Sequence, residues 1–405
     1  MTVGATPPMP KAALVAGGGI AGLAAALACA RAGYSVRLLE RSAQFSEVGA
    51  GIQIGPNVTR RLHQWGLQPA LQVAAAYPSH LQVRSALEGG TLGKLQLGTV
   101  ALRRYGAPYA TIHRADLHGA LLAAVHSCGA VQCALNSALE NFDQTADRVL
   151  ARAGQFDAFA ADLLVGADGL WSAVRQGLLG DGLPHATGHL AYRALVAQSS
   201  LPVAQRSQHI TVWLGPDLHV VQYPVRAGDC LNVVAIVHDG AAVAPTGAAP
   251  EAAAWDELAD ATALRAALSG TCTPLRDLVA AIAQWRKWVL CDRAPMAGPR
   301  EHAQGRVVLL GDAAHPMRPY LAQGAGMAIE DAYALGAALA GADGDVPAAL
   351  QHLAESRWRR NARVQRRAIR NGQVFHARGL VRIGRDLALK MLGARLLDMP
   401  WLYRA

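Results

Sequence analysis

The sequence predicts an α/β fold: a Rossmann-like dinucleotide-binding domain, a mostly antiparallel second sheet and a C-terminal helical segment. Three observations carry this. A short apolar run, residues 12–16, leads into Gly17-x-Gly19-x-x-Gly22. A second apolar run, 306–310, ends far downstream in Gly311-Asp312. Between them, over about 183–287, the pattern becomes strand-like alternation, as in 209–214, 219–223 and 231–238.

The first run is too short for a helix and bounded by glycines, so it reads as a buried parallel strand. Gly17 permits the tight turn, Gly19 lets the backbone approach a pyrophosphate, and Gly22 lets the next helix pack close. That helix is expected over 20–32, ending at Gly33. Its first N–H groups, Ile20 and Ala21 among them, lack internal partners and suit a phosphate. A second strand, 35–39, ends in Glu40, eighteen residues after Gly22 and just before Arg41. An acid there bonds adenosine ribose hydroxyls and repels a 2′-phosphate, which argues against NADP. The glycine motif alone leaves NAD, NADP and FAD open.

Residues 48–57 are Gly-rich and apolar, and are expected to form a loop against a flat ring, with Gly51 and Ile52 inside it. A helix over 57–65 follows. His113-Arg114-Ala115-Asp116-Leu117 opens another helix to about 127, where Arg114 can reach a pyrophosphate bidentately. A strand over 161–165 leads to Gly166-Ala167-Asp168-Gly169. At the end of the 306–310 strand, Asp312 can accept from a polyol such as a ribityl chain, which points to bound FAD. The segment holding Pro316, Tyr320, Gly324, Ala325 and Gly326 then leads into a helix over 327–339. Its glycines let backbone approach a flavin edge. The helix's positive end would stabilise the negative charge of a reduced flavin.

These elements divide the chain into a discontinuous FAD-binding domain (10–76, 100–182 and 288–344), a substrate-binding domain (77–99 and 183–287) and a helical region (345–405). The net charge of +9 favours anionic ligands such as carboxylates and nucleotides. Nucleic acid is not expected, because the arginines are scattered and aromatics are only 5% of the chain. The arginines between Arg359 and Arg370 read as a solvated helix face with salt bridges. Six cysteines without a C-x-x-C pair fit a reduced, cytoplasmic protein. Residues 1–10 do not read as a signal peptide, and no integral membrane segment is expected. His185-x-x-x-His189 has metal-like spacing, but Pro184 and Gly188 place it in a loop with no acidic or cysteine ligand, so no metal is expected.

The ordered motifs Gly17-x-Gly19-x-x-Gly22 with Glu40, Gly166-Ala167-Asp168-Gly169 and Gly311-Asp312-Ala313-Ala314-His315-Pro316 resemble those of single-component FAD-dependent aromatic hydroxylases of the para-hydroxybenzoate hydroxylase superfamily. The chain is most similar to the branch of salicylate hydroxylase, 3-hydroxybenzoate 6-hydroxylase and 6-hydroxynicotinate 3-monooxygenase. The resemblance implies bound FAD along Gly17, Gly19, Gly22, Glu40, Arg114, Asp168, Asp312 and the 324–326 segment. It implies transient NADH or NADPH, since no second glycine motif is present. It further implies O2 chemistry through a C4a-hydroperoxyflavin, a small phenolic or hydroxypyridine carboxylate as substrate, and a homodimer as an option. His219 and Tyr223 match a His and Tyr that orient and deprotonate the phenol, His219 as base acting through Tyr223. As i and i+4 of a strand they share a face. Trp213, Pro316 and Tyr320 complete the expected substrate side. The hydroxypyridine branch tends to carry His where this chain has Tyr320, which favours a benzoate. An oxidase, dehydrogenase or reductase on the same fold and a non-catalytic redox-sensing flavoprotein are the alternatives.

Overall fold

Residues 11–45, 50–154, 158–238 and 257–404 are described by the computed structural model. The glycine motif lies at the centre of a six-stranded sheet. Its order is Ala303–Gln304, Val307–Leu309, Leu163–Gly166, Ala12–Ala16, Ser35–Leu39 and Val131–Ala134. All neighbours pair in parallel except the edge strand Ala303–Gln304. The central strands are apolar throughout because both faces are covered.

The helix Ile20–Arg31 has nine of its twelve residues buried, so it shows no amphipathic stripe. It is enclosed by the sheet and by the helices Arg114–Ser127 and Gly324–Ala340. The glycines make this possible. A Cβ on Gly22 would lie 1.7 Å from the Gly17 carbonyl oxygen, and one on Gly17 (φ +101°) would lie 2.3 Å from the Ala167 carbonyl oxygen.

A second, eight-stranded sheet runs Glu257–Ala259, Trp285–Asp292, His185–Ala197, Cys230–His238, Leu218–Val225, Ile210–Gly215, His80–Ser85 and Thr91–Gln96. Every pair is antiparallel except Ile210–Gly215 with His80–Ser85. One face packs on the helices Thr262–Ala267 and Thr273–Ala280. The other packs toward Gly324–Ala340 and the C-terminal helices Val346–Phe375, Gly379–Leu392 and Pro400–Tyr403. Among the described residues no helix is long and apolar enough to cross a membrane.

Several sequence expectations need correction. The loop expected over 48–57 is instead a strand over Gly51–Ile54, paired antiparallel with Ala110–His113. Ile52 and Ile54 alternate, and their partner edge is remote in sequence; Val48 and Gly49 lie outside the described residues. His185 and His189 lie in a strand, not a loop. Gly188 (φ +75°) is accommodated by a register shift between Ala186 and Leu190. The helix expected at 327 begins at Gly324. The boundary expected at 287/288 falls inside the strand Trp285–Asp292. The arginine face carries the expected salt bridges, Arg360 with Glu330 at 2.7 Å among them, and adds a ring contact, the Arg363 guanidinium lying 4.1 Å from the Trp401 ring centroid. The segment 1–10 lies outside the described residues.

Gly22→Ala forces a methyl into backbone, which has no rotamer to yield. We expect a loss of about 1–3 kcal/mol, read as a lower melting temperature; a wild-type melt would show that the strand–helix approach is looser than described.

Candidate active site

The C-terminal ends of the parallel strands open on a cavity of about 410 Å³. Gly17, Gly19, Ile20, Ala21, Glu40, Arg41, Arg114, Asp168, Asp312, Gly324 and Ala325 line it. Gly22, Gly51, Ile52 and Gly326 are not in its wall. Gly22 acts one layer deeper, in helix packing. Gly51 packs on Tyr223 and Asn232 of the second sheet, its N–H donating to Asn232 Oδ1 at 2.7 Å.

The residues present fit a flavin dinucleotide. The helices Ile20–Arg31 and Gly324–Ala340 both start at the cavity with no side-chain cap and no acid in the first turn. Their unsatisfied N–H groups, with Arg41 and Arg114, suit a pyrophosphate and an electron-rich ring edge. Glu40 and Asp312 supply acceptors for hydroxyls. The Glu40 carboxylate is fixed by the N–H groups of Gly18 at 2.7 Å and Ser42 at 2.8 Å. Asp168 accepts from Ser172 Oγ at 2.5 Å and Val174 N at 3.1 Å, so it also starts the helix Ala173–Leu179. Burial raises its pKa against the lowering effect of those bonds.

Two charge clusters absent from the sequence expectations hold these turns together. Buried Arg175 donates to the Ala313 and Ala314 carbonyls at 3.0 and 2.8 Å, and pairs with Asp181. Beneath the same turn, His315 Nε2 donates to Asp331 Oδ2 at 2.5 Å and Arg357 Nε donates to Asp331 Oδ1 at 2.6 Å. The adjacent Glu330 is held by Arg360, Arg357 and Asn57. Burial opposes both charges, but the arginines outweigh it and hold both carboxyls below their usual range. The signal was available: Glu330 and Asp331 are the only charges in a seventeen-residue apolar helix. His302, His315 and Asp331 are of metal-ligand type and lie within 4.8 Å of one another, yet both Asp331 oxygens are already engaged.

On the substrate side, His219 and Tyr223 lie on one face of Leu218–Val225 and are both buried. His219 packs against Tyr320 with ring centroids 5.1 Å apart. The Tyr320 hydroxyl is buried without a hydrogen-bond partner, and its ring fits only because position 372 is glycine, where a Cβ would lie 2.6 Å from it. Pro316 is buried nearby in sequence, its carbonyl accepting from Gln365. Two expectations change. The Tyr223 hydroxyl donates to the Gly51 carbonyl at 2.7 Å, while His219 Nδ1 lies 2.8 Å from His376 Nε2, so His219 is paired with His376 and not with Tyr223. Trp213 pairs in register with Val220, while His219 pairs with Leu214. Successive strand residues point to opposite faces, so Trp213 lies in the core behind the sheet, donating to Gln222 Oε1.

A parallel sheet with uncapped helix starts around such a cavity defines a dinucleotide-binding protein. The family model described as FAD binding domain matches residues 11–375, and the chain belongs to the FAD-dependent aromatic-ring monooxygenases that share this domain. It is 36% identical over 392 residues to 3-hydroxybenzoate 6-hydroxylase of Polaromonas naphthalenivorans (strain CJ2), covering 96% of this chain and 95% of that one. It is 37% identical over 395 residues to 3-amino-4-hydroxybenzoate 2-monooxygenase PtmB3 of Streptomyces platensis, covering 97% and 96%. Its fold matches a salicylate hydroxylase substrate complex with TM-score 0.81 and 27% identity, covering 98% and 96%.

The buried histidines set an acid limit. Burial pushes His302 down to about 4, against the pull of Asp331. An unfolded histidine takes up its proton near 6.5, so between those values the unfolded state binds more protons and stability falls as pH falls. We expect melting temperature to drop from pH 6.5 toward 4, and His302→Gln to flatten that slope. An equal slope in the variant would remove His302 from the account.

Proposed function

We propose that the chain is a single-component monooxygenase that uses NADH or NADPH and O2 to hydroxylate a small phenolic carboxylate, in the first instance a hydroxybenzoate. The observation that carries this is His219: a buried imidazole beside an unpartnered tyrosine hydroxyl, on the sheet face turned toward the FAD domain. Hydroxybenzoate relatives at 36% and 37% identity support the substrate class. Their names assign different ring positions, so the position is left open. Tyr320, in place of the histidine of the hydroxypyridine branch, supports a benzoate over a nicotinate.

Bound FAD would supply the two-electron exchange with the nicotinamide and the activation of O2 through a C4a-hydroperoxyflavin, as the resemblance implies. The chain's residues do the rest. With Nδ1 engaged by His376, His219 takes the phenol proton at Nε2, leaving an electron-rich phenolate. The Tyr320 hydroxyl donates to the bound ligand and so satisfies itself. Tyr223 and Asn232 clamp Gly51 and hold the strand Gly51–Ile54 against the second sheet. The burial of these groups excludes water. We assign substrate binding to this second sheet, including all of Trp285–Asp292. A cytoplasmic setting fits the six free cysteines. The proposed homodimer would rest on the exposed apolar side chains Leu380, Ile383, Leu387 and Met391.

The test is NADH and NADPH oxidation by the flavin-loaded protein with a panel of hydroxybenzoates and hydroxypyridines, measuring H2O2 and product together. One phenolic acid should stimulate oxidation with matching product, carrying oxygen from labelled O2. Stimulation without oxygen insertion would make the chain an oxidase or dehydrogenase; none with any compound would favour a redox sensor. His219→Ala should lower hydroxylation by about 10²-fold or more with FAD content unchanged. Loss of FAD in that variant would count against the base.

A further inference from the structure

Four histidines form a file from the buried strand to the surface. His219 is 2% exposed and His376 9%; His189 is half-buried and His238 exposed. The ring centroids step 5.1 Å from His219 to His376, 5.1 Å on to His189 and 5.2 Å on to His238. They come from three strands and the end of Val346–Phe375, so no sequence pattern announces them.

The hydrogen bonds give the file a direction. His189 Nδ1 lies 3.0 Å from the Thr187 carbonyl, which can only accept, so that nitrogen carries the proton and Nε2 is the acceptor. His219 Nδ1 faces His376 Nε2 at 2.8 Å, and His376 Nδ1 is buried without a partner. If His219 Nδ1–H donates, His376 carries its own proton on Nδ1 and His219 Nε2 is a lone pair.

We propose that His376 is a positioning residue that fixes this tautomer of His219 and, with His189 and His238, carries the phenol proton to solvent. The inference rests on His219 being the base. The protons balance. The phenol proton binds His219 Nε2, the His219 Nδ1 proton passes to His376 Nε2, and the His376 Nδ1 proton is taken by His189 at Nε2, which gives up that same proton toward His238 while its Nδ1–H stays on the Thr187 carbonyl. Each ring ends neutral with one proton delivered at the exposed end; His219 and His376 are left as the opposite tautomers, and ring turns after product leaves restore the resting pair. Arg318, Arg385 and Asp217 are the charges facing these rings. Arg318 is paired with Asp292, and Asp217 with Arg378. Burial and the neighbouring histidines push His219 well below its ordinary value and His376 to about 3, which disfavours holding the charge on either ring.

The first test needs no substrate. In ¹⁵N-histidine spectra of the FAD-loaded protein, with the His219 signal identified by its loss in His219→Ala, His219 should be a single Nδ1–H tautomer. In His376→Phe it should become a mixture; an unchanged tautomer overturns the positioning role, whatever the base proves to be. The second test mixes 3-hydroxybenzoate with the oxidised protein and follows proton release with an indicator dye. Exposed His238→Gln should slow release by about tenfold without changing the amount released. Release at the wild-type rate overturns the file. Release that persists in His219→Ala, or none in the wild type, overturns the base instead.

Discussion

Two neighbouring carboxylates in the middle of a buried helix cannot be left without counter-charge, since a lone buried charge costs several kcal/mol. Glu330 and Asp331 therefore draw Arg357 and Arg360 from the long C-terminal helix, His315 from the turn after Asp312, and Asn57 from the helix Pro56–Gln64. Arg360 reaches further, to the Leu402 carbonyl near the chain's end. One charge cluster thus fixes the relative placement of the flavin-side turn, the start of the second sheet's cover and the C-terminus. Apolar contacts alone would let these elements slide; charge pairs with bidentate geometry do not.

The cofactor cradle is made largely of backbone. Gly17, Gly22 and Ala167 meet at distances only glycine allows, and the helix starts offer N–H groups rather than side chains. Side chains enter as guy-lines. Arg175 ties the Asp168 turn to the Asp312 turn, and Glu40 ties Gly18 to Ser42. Ala322, a non-glycine residue in the left-handed region at φ +52°, sits just before the helix Gly324–Ala340, where backbone strain marks a turn held by its surroundings.

Much of this was legible in the sequence because the causes are local. Strand, glycines, helix and acid follow one another at the N-terminus, and the shared face of His219 and Tyr223 follows from strand periodicity. What escaped depends on partners distant in sequence. Residues 51–54 look like a glycine-rich loop until 110–113 is laid beside them. Trp213 looks like a substrate contact until register with 218–222 turns it to the other face. The His219–His376 contact joins residues from a strand and the end of a helix. Glu330 and Asp331 could have been noticed as two charges in an apolar helix, but not their arginines.

The order of strands in the first sheet has a consequence for how the protein comes into being. The glycine turn leaves the ribosome early, yet its neighbour Gly311 and the strand Val307–Leu309 are made only after the whole of the second sheet. Pairings this remote in sequence form slowly, because a long loop must close before they are rewarded. The cradle therefore cannot be completed on a partial chain, and a nascent chain that carries the motif still lacks the walls that would retain a flavin. Holding the cofactor thus becomes a late event in synthesis, and flavin retention reports that the chain has been made and closed through the helix Gly324–Ala340.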